Sequence, residues 1–271
     1  FIEIAQGIEK DPDTYNLKVK EGMKDGLRYP DACNQALQFI LNKEVRTPND
    51  LLGLSYVKEV IHNKYPISMH CIKRTNDYHA KNIERISSAT SLRIALKKGE
   101  DVSHQLPEYE TYKDSHFFTL EEFYPYLKYL ITFTPLENLH MIEEGLDDRL
   151  YKVNQETHNL EELINALTSK RYTRSRIQRM LIHILLHNTK EDMKKAMDID
   201  YIHILGLSAS GQSYIKTAKK NTEYKIITNI TKHKHPALDI EKRGAQLLDL
   251  VDPGFFKETI KAIPYRKIDL K

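Results

Sequence analysis

The stretch YPISMHCIKRTNDYHAKNIERISSATSLRIAL, residues 65–96, decides how the first part of this chain is read. Residues 66–72 form a short apolar run, long enough for one buried strand. Lys73 and Arg74 follow where that strand would end. After a polar turn, Ser88 and Thr90 stand where a helix N-cap is wanted, just ahead of Leu92, Ala95 and Leu96. The stretch predicts strand, loop, helix. A helix start offers free backbone N–H groups, and the hydroxyls of Ser88 and Thr90 with Arg93 one turn further on suit an anion such as a phosphate. In open α/β sheets, ligands sit beyond the carboxyl ends of the strands, where Lys73 and Arg74 fall. The plainer alternative is a capped helix beside a solvated arginine, and spacing alone leaves both readings open.

Before this stretch, residues 1–7 have the look of a helix tail, and Asp25-Gly26 with Tyr29-Pro30 marks a turn. Residues 31–41 predict a helix whose face of Ala32, Ala36, Leu37, Ile40 and Leu41 packs into a core. Pro48 biases Thr47 away from helix, Asn49 or Asp50 can cap a restart, and Leu51, Leu52, Tyr56 and Val60 continue one face. The alternation over 41–96 suits a βα unit of a parallel sheet, with Gly53 placed for close approach of the helix to sheet or ligand.

After it, residues 100–115 are polar, with Pro107 and five acidic residues, and are expected to link two domains or to form a loop between them. The domains so bounded are 1–99 and 116–271. The second is mainly helical, with helical spacing over 120–133 (Pro125 restarting it near its beginning), 136–144, 160–168, 173–187 and 210–220. One strand is expected at 224–230. A helix over 238–250 ends at Asp252-Pro253-Gly254, and Phe255-Phe256 can plug a core.

Composition narrows the classes. The chain has 271 residues, 40% hydrophobic and 29% charged, enough to bury a substantial core in one large or two modest domains. No apolar run approaches the roughly 18 residues needed to span a bilayer. Cys33 and Cys71 cannot build a disulfide framework or a cysteine-rich zinc site, so a reducing cytoplasm is the simplest home. The formal net charge of +3 conceals a contrast between the acidic residues of 143–148 and strongly basic segments.

The sharpest of those segments is Lys170, Arg171, Arg174, Arg176 and Arg179, with Tyr172 among them, opening a helix whose other face is Ile177, Met180, Leu181, Ile184 and Leu185. Cations in the first turns of a helix oppose its macrodipole, so helix stability does not explain them, and the stripe suits an external anionic partner such as a phosphate backbone. The competing reading pairs them with the acidic segment at 143–148. Residues 206–211, GLSASG, lack the second glycine of a nucleophile elbow and read as a turn capping the next helix, with RNA phosphate approach as the alternative. His183 and His187 have metal-pair spacing without the glutamate of a zinc motif, and no metal is expected there.

SATSLR at 88–93 resembles the second signature of the HIGH-type nucleotidyltransferase superfamily, SSTxIR, with Ala89 for Ser and Leu92 for Ile. The order of PNDLLGLSYVK (48–58), IKRTNDYH (72–79), ISSATSLRIAL (86–96), EEGLDDRL (143–150) and KRYTRSRIQRMLIHILL (170–186) is similar to the bacterial tRNA(Met) cytidine acetate ligase family, over nearly the whole chain. The superfamily's first signature, HxGH, matches none of the twelve histidines, and the chain opens at Phe1; the family's first portion is therefore expected to be missing.

The resemblance implies an α/β fold: the C-terminal part of a Rossmann-like HIGH-nucleotidyltransferase core, followed by a mainly α-helical tRNA-binding domain. It implies a ligase that activates acetate with ATP, accompanied by Mg2+, and acetylates the wobble cytidine of elongator tRNA(Met). Asn49 and Arg74 match ATP-contacting positions of the family, Ser88, Thr90 and Arg93 join them from the superfamily signature, and Lys73 joins them from its place beside Arg74 at the end of the expected strand. Lys170, Arg171, Arg174, Arg176 and Arg179 become the tRNA-binding set, and no catalytic side chain is assigned. The alternatives are a nucleotidyltransferase with another acceptor and a non-catalytic RNA-binding protein.

Overall fold

The computed structural model describes residues 1–45, 47–72, 87–107, 109–143, 145–169, 171–260 and 265–266. The chain divides into two compact units, Phe1–Lys113 and Asp114–Lys271. In the first, the described regular structure is helical: α1 (Ile2–Lys10), α2 (Pro12–Lys24), α3 (Tyr29–Leu41), α4 (Pro48–His62), α5 (Ala89–Lys97) and the single turn α6 (Tyr109–Tyr112). The expected face of α3 is buried, with Ala32, Ala36 and Leu37 fully inaccessible, packed with Ile4, Ile8, Val19 and Leu54. α2 and α3 pack closely at Gly22, where a Cβ would stand 3.1 Å from that of Ala32. The cap of α4 differs from expectation. Thr47, not Asn49 or Asp50, accepts the Asp50 N–H at 3.1 Å, because Pro48 occupies the first turn, where its missing N–H costs nothing.

The strand expected over 66–72 does not form. These residues are extended but unpaired, with Ile67 57% and Ile72 97% exposed, and only Met69 leans on the first unit's core. A strand exists by its ladder, and none of the described segments of this unit lies alongside to complete one. Within 100–113, Val102 is fully buried and the Gln105 side chain accepts the Ser87 N–H at 3.1 Å, so this segment packs on the first unit.

In the second unit a 3-10 turn, Leu120–Phe123, leads into α7 (Tyr124–Phe133), with Pro125 in its first turn. α8 (Leu146–Glu156), α9 (Leu160–Leu167) and α10 (Arg174–Leu185) follow and share one core, in which Leu127, Leu150, Leu163, Ile177 and Leu181 are fully buried. The helix expected over 136–144 is absent from its described residues, 136–143. Leu136, Leu139 and Ile142 are buried, but Leu139 bridges Thr189, the His140 N–H donates to Asn188 and Met141 adopts a φ of 67°. Apolar spacing of three fits successive turns as well as a helix, and the contacts with 188–190 select the turns.

Beyond α11 (Lys190–Ala196) come two short parallel ladders. β1 (Tyr201–His203) pairs with β3 (Lys225–Ile227), and β2 (Gly206–Leu207) pairs with β4 (Tyr265–Arg266). The expected strand at 224–230 is β3, over 225–227; its partner β1 and the strands β2 and β4 are too short to show a period. α12 (Ala209–Ala218) follows β2, and α13 (Pro236–Asp249) and α14 (Phe255–Ile260) precede β4. Leu238 and Ala245 of α13 pack with Ile227, Ile230 and Ile260, while Leu247 and Leu248 reach the larger helical core. Among the described residues, no helix is long and apolar enough to cross a membrane.

Candidate functional site

Two regions carry the residues singled out from sequence, one in each unit. In the first, Ser88 is the N-cap of α5: its Oγ accepts the Ser91 N–H at 3.1 Å, and the Ser91 hydroxyl donates back to the Ser88 carbonyl at 2.8 Å. Both serines are buried. Thr90 and Arg93 are exposed, and the Arg93 guanidinium donates to the Ala89 carbonyl at 3.2 Å, which folds it back over the first turn. That turn therefore presents the N–H groups of Ala89 and Thr90, a free hydroxyl and a guanidinium. An anion could be held there by the helix start and the Arg93 guanidinium. Asn49 is exposed in the first turn of α4. Lys73, Arg74 and Lys170 lie outside the described residues.

Ser88 and its neighbours can be separated by stability. Ser88→Ala removes a buried cap and is expected to cost about 1 kcal/mol of unfolding free energy. Thr90→Val and Arg93→Gln are expected to change it by less than about 0.5 kcal/mol, since both side chains are solvated. Urea unfolding of the three variants checks this, and a Thr90 or Arg93 loss equal to that of Ser88 would place those side chains in the fold.

The basic helix start is internally compensated to a degree its sequence does not show. Arg176 and Arg171 both donate to Glu143, the latter at 3.1 Å, and the Tyr172 hydroxyl donates to the same carboxylate at 3.1 Å. The two guanidinium groups also lie 5.0 and 5.4 Å from the Tyr172 ring centre. Arg174 makes a bidentate pair with Glu161, at 2.9 and 2.5 Å. Arg179, by contrast, donates only to the Ser175 carbonyl and has no carboxylate partner among the described residues. The competing sequence reading, pairing with the acidic segment, thus holds for Arg171 and Arg176, through Glu143.

Burial pushes the Glu143 carboxyl up, but the hydrogen bond and charge of Arg176, with Tyr172 and Arg171, outweigh it and hold the group below its ordinary 4.5. Glu143 is the residue that sequence reasoning missed. Its signal was the EEGLDD run, but which carboxylate would meet which arginine depends on a contact between residues some thirty positions apart.

His183 and His187 do not share a helix face. α10 ends at Leu185, and His187 stands beyond it at a φ of 48°. His183 Nδ1 accepts from the Asn188 amide at 3.0 Å, while Asn188 Oδ1 accepts from Arg243 at 2.9 Å, so the imidazole is part of a packed network. Burial, then His140 and Arg179, lowers the His183 pKa. The 206–211 turn caps α12 as expected: Ser208 Oγ accepts the Gly211 N–H at 3.1 Å.

Comparison with known proteins gives the family of the chain. The model of the HIGH nucleotidyl transferase family matches residues 1–261. The chain is 32% identical over 274 residues to the tRNA(Met) cytidine acetate ligase of Bacillus subtilis (strain 168), covering 92% of this chain and 66% of that relative. It therefore spans just under two thirds of that relative's length. With the tRNA(Met) cytidine acetate ligase of Oceanobacillus iheyensis it shares 30% identity over 274 residues, covering 94% and 68%. The crystal structure of Thermotoga maritima TmcAL bound with alpha-thio ATP superimposes with a TM-score of 0.77 over 98% of this chain and 73% of that one, at 22% identity. That likeness carries the α/β fold class, represented among the described residues by helices and the two short parallel ladders. With a family model spanning all but its last ten residues, the chain belongs to the HIGH nucleotidyl transferase family, on the branch of the tRNA(Met) cytidine acetate ligases.

Proposed function

We propose that this protein is a cytoplasmic, ATP-dependent acetate ligase that acetylates N4 of the wobble cytidine of elongator tRNA(Met). The observation that carries the reading is the similarity, over 92% of the chain, to a relative of that name. ATP enters as its Mg2+ complex, a substrate rather than a resident cofactor. An acetate oxygen attacks the α-phosphate, giving acetyl-adenylate and pyrophosphate. The cytidine amine then attacks the acyl carbon, loses a proton and releases AMP.

Such chemistry asks for positioning and charge neutralisation more than for a protein nucleophile. Arg74 and Lys73 would neutralise phosphate, Asn49 would meet the adenosine, and the start of α5 with Thr90 and Arg93 would hold a further phosphate oxygen. Ser88 would act through its cap. Arg171, Arg174, Arg176, Arg179 and Lys170 would meet tRNA, with Arg179 the one described arginine of the set that need not leave a carboxylate to do so.

The test incubates the full-length protein with ATP, labelled acetate and bulk tRNA and asks which nucleoside gains the label. Labelled N4-acetylcytidine in tRNA(Met) is expected. Label on another nucleoside would point to a different acceptor, and absence of acetate-dependent ATP–pyrophosphate exchange would refute the ligase. In the same exchange assay Arg74→Ala is expected to weaken ATP binding by roughly 1.5–3 kcal/mol, the worth of a charge-assisted phosphate contact. An unchanged rate at low ATP would remove Arg74 from the site.

A further inference from the structure

The compensation of the α10 arginines raises the question of where uncompensated positive charge lies. Residues 201–222 contain no aspartate or glutamate at all, although Asp and Glu number 38 in 271 residues. α12 sits in the middle of this acid-free segment, and none of its side chains is buried. Gln212, Ser213 and Lys216 of α12, with Lys219 at its C-cap in helical conformation and Lys220 in the turn that follows, recur at spacings of three and four, which sets them along one side in a line about 12 Å long. Each is exposed. Among the described residues no carboxylate pairs with Lys216, Lys219 or Lys220, whereas Lys225, just beyond, is held by Asp200 at 2.5 Å. On the opposite side Tyr214 is 73% exposed, so neither of these two sides serves a core; the part-buried Gly211, Ile215 and Ala218 lie on the side between them.

Lysines near a helix C-terminus are favoured by its dipole, which accounts for Lys219 and Lys220 singly. It does not account for the rest. Three like charges at i, i+3 and i+4 repel one another, and an i+4 or i−4 acid would relieve this at no cost to the helix. A helix that exposes both sides, omits every acid and lines one side with donors is suited to an anionic partner outside the chain.

We infer that the Gln212–Lys220 side of α12 is a docking surface for the phosphate backbone of RNA, separate from the α10 arginines. The inference rests on the tRNA reading given above and extends it to a second contact region. A line of flexible ammonium groups with short amide and hydroxyl donors positions a backbone without reading bases, so it contributes affinity and salt dependence more than sequence choice.

The test compares wild type, K216Q/K219Q/K220Q and K216R/K219R/K220R by anisotropy of a labelled tRNA between about 50 and 200 mM salt, with unfolding midpoints as the control for fold. Glutamine and arginine are both good helix formers, so unchanged midpoints are expected. The glutamine variant should lose up to about 2.7 from the slope of log affinity against log salt. Its fall in affinity across that range then shrinks by roughly 40-fold, while the arginine variant keeps the wild-type slope. Wild-type slope and affinity in the glutamine variant would overturn the inference and leave the tRNA reading standing. Failure of the wild type itself to bind tRNA at 50 mM salt would overturn both. Poly-glutamate competing with wild type as well as RNA does, with the glutamine variant still binding tRNA, would assign the surface to an acidic protein instead.

Discussion

Glu143→Gln is expected to lower stability and raise RNA affinity in the same variant. The carboxylate accepts from Arg171, Arg176 and Tyr172, and its removal leaves two guanidinium groups without their anion. Fully buried, such a loss would cost about 3–5 kcal/mol. Here Glu143 is 42% and Arg176 32% exposed, so solvent screening reduces the expectation to about 1–2 kcal/mol, or roughly 3–6 °C in the unfolding midpoint of the second unit.

The same change frees Arg171 and Arg176 to meet phosphate. If they reach RNA, affinity at low salt rises and the salt slope steepens by about one to two. Calorimetry and a salt series of tRNA binding measure the two halves. A folded variant with unaltered RNA binding would make the arginine–glutamate cluster a purely structural clamp.

The sign of the pH dependence follows from the direction of the shift. The Glu143 carboxyl is held below 4.5 in the folded protein, so its contribution is fully present above that value and is lost as the pH falls through the lower, folded-state pKa. The difference in stability between wild type and Glu143→Gln should therefore be constant near neutrality and shrink in acid below about pH 4.5. A difference that shrank toward alkaline pH instead would show that the carboxylate is not the group responsible.

The largest stability loss is expected from the other side of the same helix. Ile177 is fully inaccessible in the core shared with Leu163 and Leu181, and Ile177→Ala should cost about 2–5 kcal/mol. Arg179, two residues on and exposed, should cost less than about 0.5 kcal/mol on replacement by alanine. Urea denaturation of both variants checks the contrast. A loss below about 1 kcal/mol at Ile177 would mean that α10 is not anchored by this face, and the placement of its arginines would lose its support.

What the sequence determined on its own is the set of features that depend on near neighbours. The buried faces of α3 and α10 were legible because 3.6-residue periodicity is a local consequence of helix geometry, as were the caps at Ser88 and Ser208 and the restart at Pro125. The SATSLR signature and the order of the family's segments were legible because they are strings. What tertiary structure alone decided is whatever depends on distant partners. Residues 66–72 have a strand's composition but no ladder partner among the described residues, and 136–143 have helical spacing but turn to meet 188–190. Glu143 neutralises arginines some thirty residues away, while the three lysines of 216–220 meet no acid among the described residues. Charge at a surface is a sum over everything nearby in space, so two equally basic stretches of sequence differ in the charge they leave for a partner.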